Sequence, residues 1–266
     1  FPESQKFFPR LLWPKLLQHA AQESDHIITI SEASKCDIVE HLQVAPGKVT
    51  VTPLAVSPAF VNHPASAEAE PPLLRKEGKP YILYLGTIEP RKNVPALVRA
   101  FAQIAQHIPH QLIIAGKHYK GIDEVLYEVV KHDLEGRVEI KDFVPSDELT
   151  SLYAGADLFV WPSIYEGWGF PPQEAMASGV PVIVSNGGSL PEVVGEAGIT
   201  VPFSTSNLTD RLNDADFEAR LAENMKEVAQ NNDRQAQLRQ AGHIQATKRT
   251  WQQTAEETIK VYEKLP

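Results

Sequence analysis

The feature that most constrains the fold is a regular alternation of short apolar runs and longer helical patterns in the middle of the chain. Apolar runs predict strands at 81–85, 111–115, 138–140, 157–161 and 180–184, with helices between them and a short helix at 190–194. Strands that are apolar on both faces and separated by helices are typical of a parallel sheet covered on both sides. The predicted fold class is therefore α/β, with a Rossmann-like parallel sheet.

A smaller alternation precedes this region. Strands are predicted at 27–30 and 49–52, and Ser31 is well placed to cap a helix that reaches Leu42. An apolar helical pattern also covers the segment 7–21, where Pro14 is expected to kink the helix.

Composition and these patterns together predict four segments. A Pro-, Ala- and Glu-rich passage marks residues 55–79 as a linker between a first domain, 1–54, and a main domain, 80–250. The chain opens without Met, so we expect residues 1–54 to be the last part of a domain whose beginning is missing. A closing helix at 251–266 is expected to pack through one face, formed by Trp251, Ala255, Ile259 and Tyr262.

Charge and cysteine content exclude several classes of function. The net charge of −9 and the pI near 5.5 argue against nucleic acid as a partner, because duplex binding needs a basic face. Cys36 is the single cysteine, so an intramolecular disulfide is excluded and a reducing compartment is expected. Apolar runs of about 18 residues, the length of a membrane span, are absent from the sequence. We expect a cytoplasmic protein.

Residues just after the predicted strands are the candidates for ligand binding, since ligands of open α/β sheets lie beyond the carboxyl ends of the strands. After the strand at 81–85 come Gly86, Thr87 and, just before a helix, the adjacent cations Arg91 and Lys92. Cations beside a helix N-terminus form an anion site, which favours a phosphate here. The alternative is that both cations are ordinary solvated charges.

The sequence Glu-Gly-Trp-Gly-Phe-Pro-Pro-Gln-Glu at 166–174 follows the strand at 157–161. Its glycines allow backbone N–H groups to face an anion, Pro172 suits the first turn of a helix, and Gly179 suits the end of that helix. Glu174, expected in the first helical turn, either complements the helix dipole or binds hydroxyls such as those of a ribose. Glu166 is a candidate for a hydrogen bond to a sugar hydroxyl.

Two further strand ends are more ambiguous. Ser189 and Glu192 have the spacing of a capping box, which leaves Asn186-Gly-Gly188 for either a structural or a ligand-binding role. Backbone groups near Phe143 and Val144 could read the edge of a nucleotide base.

No metal site is predicted. Asp214-Ala-Asp216 matches an Asp-x-Asp metal pattern, but it follows no strand and directly precedes a helical pattern, so capping of that helix is favoured. The nine histidines are scattered, without the spacing of a zinc site.

These motifs resemble those of retaining glycosyltransferases of family four, which have the two-domain GT-B fold. The resemblance rests on the Glu-x7-Glu motif at 166–174, on Gly-Thr-Ile-Glu-Pro-Arg-Lys-Asn at 86–93 and on Ile-Thr-Ile-Ser-Glu-Ala-Ser at 28–34, and it covers nearly the whole chain. The sequence is most similar to the bacterial mannosyltransferase-like branch. Many other members carry Arg where this chain has Thr87.

The resemblance implies a role for each candidate residue. Glu174 would hold the ribose of a nucleotide-sugar donor, Glu166 the transferred sugar, and Arg91 and Lys92 the diphosphate. Backbone groups near Phe143 and Val144 would read the base. The diphosphate would also meet the backbone of Gly86, Thr87, Gly167, Trp168, Gly169 and Phe170.

The resemblance also implies a reaction. It predicts metal-independent transfer of a hexose, first mannose from GDP-mannose, with UDP-sugars as the alternative, to a glycan or a lipid-linked acceptor with retention of configuration. The missing part of the first domain would hold the acceptor, and the closing helix would cross back onto that domain. For the aromatic and basic stretch 7–15, packing against the missing part is favoured over peripheral contact with the inner face of the membrane. A non-catalytic nucleotide-sugar-binding module and a sugar-nucleotide epimerase of the same fold remain the alternatives.

Overall fold

The computed structural model describes residues 7–61 and 78–265, with side chains from Trp13 onward. The chain forms two compact units, Phe1–Ala55 with Arg249–Pro266, and Val56–Lys248. Most of the predicted linker and most side chains of the stretch proposed for membrane contact lie outside the described residues. Within those residues, no helix combines the length and the apolar character that crossing a membrane requires.

The first unit contains a small parallel sheet flanked by helices. Its elements are α1 Phe7–Glu23, β1 Ile27–Thr29, α2 Glu32–Leu42, β2 Val49–Val51 and, from the other end of the chain, α11 Trp251–Tyr262. β1 and β2 pair in parallel, with Ile27 opposite Val49. The predicted cap of α2 is confirmed, because the Ser34 N–H donates to Oγ of Ser31 at 3.0 Å. Helix α1 runs through Pro14.

Helix α11 packs through a different face from the one predicted. Thr254 and Val261 are its buried side chains, and the Thr254 hydroxyl donates to the Pro53 carbonyl at 2.7 Å. The four residues of the predicted face, Trp251, Ala255, Ile259 and Tyr262, are exposed. The face that is buried among the described residues is therefore not the predicted one, and packing of the predicted face stays a prediction.

The second unit is built around one parallel sheet. Its elements are α3 Pro58–Val61, β3 Tyr81–Leu85, α4 Val94–Ile104, β4 Gln111–Ala115, α5 Ile122–Lys131, β5 Val138–Lys141, α6 Ser146–Ala154, β6 Leu158–Trp161, α7 Phe170–Ala177, β7 Val182–Ser185, α8 Leu190–Val194, β8 Ile199–Val201, α9 Ala215–Gln230 and α10 Asn232–Thr247. Among the described residues, six strands join in the order β5-β4-β3-β6-β7-β8, all parallel. The predicted Rossmann-like sheet is confirmed.

The order of the strands places helices on both faces. From β3 the chain moves outward through β4 to β5, and then returns to β6 and moves the other way to β8. Because parallel crossovers are right-handed, reversing the direction moves the crossover helices to the other face. Helix α4 packs with α5 and α9, and α7 packs with α8 and α10.

Core burial explains why the central strands were easy to predict. All five side chains of β3 and all four of β6 are buried, as expected for strands with a helix layer on each side. The edge strand β5 is only partly buried and alternates charged with apolar residues. Short helix α3, inside the predicted linker, buries Phe60 in the core of this unit.

Candidate donor cleft

A cleft of about 460 Å³ lies where the strand order reverses, at the carboxyl ends of β3 and β6. Neighbouring strands that diverge at this point leave room between their following loops, which is where ligands of such sheets bind. The loop after β3 and the loop after β6 supply the walls. The lining residues are Gly86, Thr87, Glu89, Arg91, Lys92, Trp161, Glu166, Trp168, Gly169, Phe170 and Pro171.

The two loops are joined by an ion cluster at the bottom of the cleft. Nζ of Lys92 lies 2.5 Å from Oε1 of Glu166, and Nη1 of Arg91 lies 2.8 Å from Oε2 of the same carboxylate. Nη2 of Arg91 also contacts Oε1 of Glu89 at 2.6 Å. The structure therefore brings the three residues predicted to be catalytic into direct contact.

Backbone contacts hold the same two loops together. The carbonyl of Arg91 accepts from the Ile164 N–H at 2.9 Å and from the Ser163 hydroxyl at 3.1 Å. The Arg91 guanidinium also donates to the Tyr165 carbonyl at 2.8 Å. The cation loop is thus fixed against the Glu166 loop through main-chain as well as side-chain contacts.

Burial sets the electrostatics of this cluster. Desolvation lowers the pKa of Lys92, and the carboxylate of Glu166 opposes that change only in part. Arg91 is also desolvated, but Glu166 and Glu89 outweigh this and raise its pKa. The phenol of Tyr84, buried beneath the cluster, has a pKa raised well above its ordinary value by burial and then by Glu166. Charges in such a desolvated site interact more strongly than they would in water.

The floor of the cleft is the indole of Trp161, the last residue of β6. A Cβ at Gly86 would lie 2.5 Å from Cη2 of this ring, so only glycine fits at position 86. The indole Nε1 donates to Oε1 of Glu166 at 3.1 Å, and Nζ of Lys92 lies 4.7 Å from the ring centroid.

The loop after β7 holds the backbone of the Glu166 loop through hydrogen bonds. The N–H and the hydroxyl of Ser189 donate to the Glu166 carbonyl at 3.0 and 3.1 Å, and the hydroxyl also donates to the Trp168 carbonyl at 2.7 Å. Gly188 has φ of +62°, and a Cβ there would lie 2.2 Å from the Glu166 carbonyl oxygen. Oδ1 of Asn186 accepts from the Phe203 N–H at 3.1 Å. These contacts favour the structural role for this loop.

The capping box predicted for Ser189 and Glu192 is wrong. Ser189 makes no side-chain cap bond to α8, because its hydroxyl is used by the two carbonyls of the Glu166 loop. Tertiary contacts have displaced the local hydrogen bond that the spacing alone favours.

Helix α7 carries the second carboxylate of the motif. It begins at Phe170, so that Pro172 lies in the first turn as predicted, and Gly179 follows its C-cap residue in a left-handed conformation with φ of +74°. Glu174 lies beyond the first turn, so its predicted placement is wrong and the alternative of a first-turn charge that complements the helix dipole loses its basis. The Tyr153 hydroxyl instead donates to Oε2 of Glu174 at 2.9 Å.

Burial shifts both members of this pair. Desolvation raises the pKa of Glu174, and the hydrogen bond from Tyr153 lowers it only partly. Burial, followed by the charge of Glu174, raises the pKa of Tyr153 well above its ordinary value. Tyr153 therefore remains a hydrogen-bond donor to the carboxylate at neutral pH.

A model of the family described as glycosyl transferases group 1 matches residues 66–245, well over half of the chain. The chain belongs to this family. O-antigen chain mannosyltransferase B of Escherichia coli is 33% identical over 257 residues, covering 94% of this chain and 64% of that protein. The MMP alpha-(1->4)-mannosyltransferase of Mycolicibacterium hassiacum is 28% identical over 257 residues, covering 94% of this chain and 56% of that protein. The chain spans less than two thirds of the length of these two relatives.

A solved structure shares the fold of this family member. The crystal structure of Anabaena HepE in complex with UDP and glucose has a TM-score of 0.80 at 18% identity, covering 100% of this chain and 69% of that one. The predicted family resemblance and the predicted GT-B fold are both confirmed.

Two of the residues predicted to bind the donor, Phe143 and Val144, do not line this cleft. Phe143 and Val144 follow β5 at the edge of the sheet, the first exposed and the second buried. Trp168 does line the cleft, and its indole Nε1 donates to Oε1 of Gln173 at 2.9 Å, which attaches the glycine loop to α7. The roles predicted for these residues in donor binding stay predictions.

The sequence reasoning missed three residues of this site. Glu89 lies inside the quoted motif at 86–93, and its charge beside two cations was a usable signal. Trp161 and Tyr153 gave no such signal, because aromatic residues in an apolar strand and in a helix are typical of an ordinary core. Their polar edges matter only through the carboxylates that the fold places beside them.

Among residues 7–61 and 78–265, no three His, Cys, Asp or Glu side chains are grouped to hold a metal ion. Asp214 caps α9, because its Oδ1 accepts from the Phe217 N–H at 2.9 Å. The interpretation of Asp214 as a helix cap is confirmed.

Proposed function

We propose that this chain supplies the nucleotide-sugar donor site of a glycosyltransferase. The observation that carries the proposal is the cluster of Arg91, Lys92 and Glu166 in the cleft at the reversal of the strand order. Two cations and one carboxylate in a desolvated cleft match the two halves of a donor: a diphosphate that needs positive charge and a sugar that needs hydrogen-bond acceptors.

Donor binding would exchange the partners within the cluster. A diphosphate entering the cleft brings its own negative charges to Arg91 and Lys92 and so replaces the carboxylate of Glu166 as their partner. The released oxygens of Glu166 then accept hydrogen bonds from hydroxyls of the sugar. Glu174, held by Tyr153, binds the ribose hydroxyls, and the backbone of Gly86, Thr87 and 167–170 lies against the diphosphate.

The same cations would promote the reaction. As the bond between the anomeric carbon and the diphosphate breaks, negative charge develops on the leaving oxygen, and Arg91 and Lys92 stabilise that charge without a metal ion. The acceptor hydroxyl attacks from the side of the leaving group and transfers its proton to the departing diphosphate, so the configuration is retained. This route needs no protein nucleophile, and Glu166 serves as a hydrogen-bond acceptor for the sugar.

The transferred sugar is proposed to be mannose, with GDP-mannose as the first donor and UDP-sugars as the alternative. The two relatives described above carry mannosyltransferase names, which supports the sugar. The acceptor is proposed to be a glycan or a lipid-linked sugar, reached in the cytoplasm or at the inner face of the membrane.

Two measurements test the proposal. Calorimetric titration of the chain with GDP, UDP and ADP should show binding of at least one of them, GDP first. In a protein that contains this chain and turns over, Lys92→Ala should reduce mannose transfer by about 100-fold or more, the range of a lost transition-state charge contact. Glu174→Ala should also reduce transfer strongly, because the ribose of the donor loses its acceptor. Full activity in both variants, or three inert nucleotides, contradicts the proposal. Conversion of the donor without acceptor would indicate an epimerase instead.

A further inference from the structure

Trp161 occupies a position that connects the elements of the cleft. It ends β6, is 1% exposed and lies directly beneath Gly86 of the opposite loop. Its indole forms the floor of the cleft. A polar N–H at this depth needs a partner when buried, and here that partner is a carboxylate rather than a backbone carbonyl.

Two different interactions of one ring reach the ion cluster. The Nε1–H group donates to Oε1 of Glu166 at 3.1 Å, and the face of the ring lies 4.7 Å from Nζ of Lys92. Lys92 and the indole therefore share the same carboxylate oxygen. An ammonium over an indole face is stabilised by the quadrupole of the ring, and more strongly in a desolvated site.

The ring is fixed by aromatic neighbours on both strands. It stacks on Tyr84 of β3, with centroids 5.0 Å apart and planes 12° apart, and on Phe159 of β6, with centroids 6.0 Å apart. The Tyr84 hydroxyl in turn donates to the Thr87 carbonyl at 3.1 Å. A donor held this rigidly stabilises its acceptor without reorganising when the ligand arrives.

We propose that Trp161 is a positioning residue for the transferred sugar, acting through Glu166. When a diphosphate draws Arg91 and Lys92 away from the carboxylate, the indole N–H keeps Oε1 in place and leaves Oε2 to meet a sugar hydroxyl. This inference rests on the proposed donor site and adds a residue that positions the sugar-binding carboxylate.

The test removes the N–H and keeps the ring. Trp161→Phe retains an aromatic face for Tyr84 and Lys92 but has no donor for Glu166. We expect the affinity for the nucleotide sugar, and kcat/KM for transfer, to fall by 10- to 100-fold, the effect of losing a hydrogen bond to a charged group. The affinity for the nucleoside diphosphate alone should change by less than about threefold, because that ligand has no sugar for Glu166 to hold. If Trp161 had a purely structural role, the substitution would lower the affinity for both ligands to the same extent.

Two controls separate this effect from damage to the core. Tyr81→Phe removes another buried donor, the hydroxyl that contacts the Leu152 carbonyl at 2.6 Å, and should lower Tm without changing the ratio of the two affinities. Combining Trp161→Phe with Glu166→Gln should lower kcat/KM for transfer by less than the product of the two single reductions, since both substitutions act through one contact.

A closer isostere covers the case in which Trp161→Phe does not fold. Replacement of Trp161 by 3-benzothienylalanine substitutes sulfur for the N–H in a ring of nearly the same shape, and the same selective loss of nucleotide-sugar affinity is expected. Unchanged discrimination between nucleotide sugar and nucleoside diphosphate in the folded variant overturns the inference. Failure of the unmodified chain to bind any nucleoside diphosphate would instead refute the proposed donor site.

Discussion

Nζ of Lys92 lies 2.5 Å from Oε1 of Glu166, across 74 positions of sequence, and both side chains are almost entirely buried. Arg91 contacts the other oxygen of Glu166, and Glu89 contacts Arg91. The cluster therefore contains two positive and two negative side chains. The donor-free site is therefore close to charge-neutral. Its cations are available to a diphosphate only in competition with carboxylates of the protein itself.

This competition predicts the effect of Glu166→Gln on ligand binding. Loss of the carboxylate leaves Arg91 and Lys92 without their shared partner, so the affinity for a nucleoside diphosphate should rise by about tenfold, equivalent to about 1.4 kcal/mol. Sugar transfer should nevertheless fall, because the acceptor for the sugar hydroxyls is weakened. Calorimetry with GDP or UDP measures the first effect. Glu89→Gln removes a carboxylate from Arg91 alone and should raise the affinity for the nucleoside diphosphate by less. Weaker binding of GDP or UDP by Glu166→Gln than by the wild type would contradict the proposed competition.

Burial of Glu174 predicts a pH-dependent gain in stability from Glu174→Gln. The pKa of Glu174 is raised in the folded protein, so the folded state binds its proton more tightly than the unfolded state does. The wild-type charge therefore costs stability above the folded pKa, and the cost disappears as pH falls toward the unfolded value near 4.5.

Thermal unfolding provides the measurement for this variant. At pH 7 the glutamine, which still accepts from Tyr153, should raise Tm by about 2–4 °C for each kcal/mol recovered. The difference from wild type should shrink toward pH 4.5. If the Tm difference between the variant and the wild type grew on acidification, the sign of the pKa shift would be wrong.

Arg99 links three helices of the second unit, so Arg99→Ala is predicted to lower the stability of the fold substantially. Its guanidinium contacts Glu218 of α9 at 2.7 Å and Glu128 of α5 at 3.3 Å from its position on α4. Truncation leaves two buried carboxylates without this partner, and breaking such a pair costs about 3 kcal/mol. Chemical denaturation of the chain measures the free energy of unfolding. Lys131→Ala also removes a partner of Glu128, but from a half-exposed side chain, and should cost less than about 1 kcal/mol.

The tight contact behind Glu166 predicts that Gly188→Ala is damaging. A new Cβ would meet the Glu166 carbonyl oxygen at 2.2 Å in a left-handed backbone conformation, so the loop must shift. The combined strain and overpacking should cost about 2–4 kcal/mol and weaken nucleotide-sugar binding. Gly136→Ala is the matched control, since a Cβ there meets no atom within 4 Å. Equal stability of the two variants would show that the Glu166 loop is not held as tightly as these contacts indicate.

Much of the sheet could be predicted from the sequence because the interior strands are apolar throughout. The strands β3 and β4 were predicted with the bounds that they have, as was helix α8. Strand β8, three residues long at the edge of the sheet, was missed. So short a run, following Gly198, carries no pattern that distinguishes it from a loop.

The residues of the site were predictable to a different extent. Because parallel strands end at the same edge of the sheet, the loops carrying Arg91, Lys92 and Glu166 could be expected to meet. That these side chains neutralise one another could not be inferred, since a strand-end argument places loops and gives no side-chain distances. Trp161 and Tyr153 were missed for the same reason.

The sequence by itself determined the periodicity of strands and helices, the family motifs and the candidate residues after each strand, because these depend on local spacing. The tertiary structure decided that Glu166 neutralises Lys92 and Arg91 before any ligand arrives, that Ser189 supports Glu166 instead of capping α8, and that an indole N–H shares the carboxylate. Each of these depends on distances between atoms far apart in the chain, which only the packing of the strands and loops can fix.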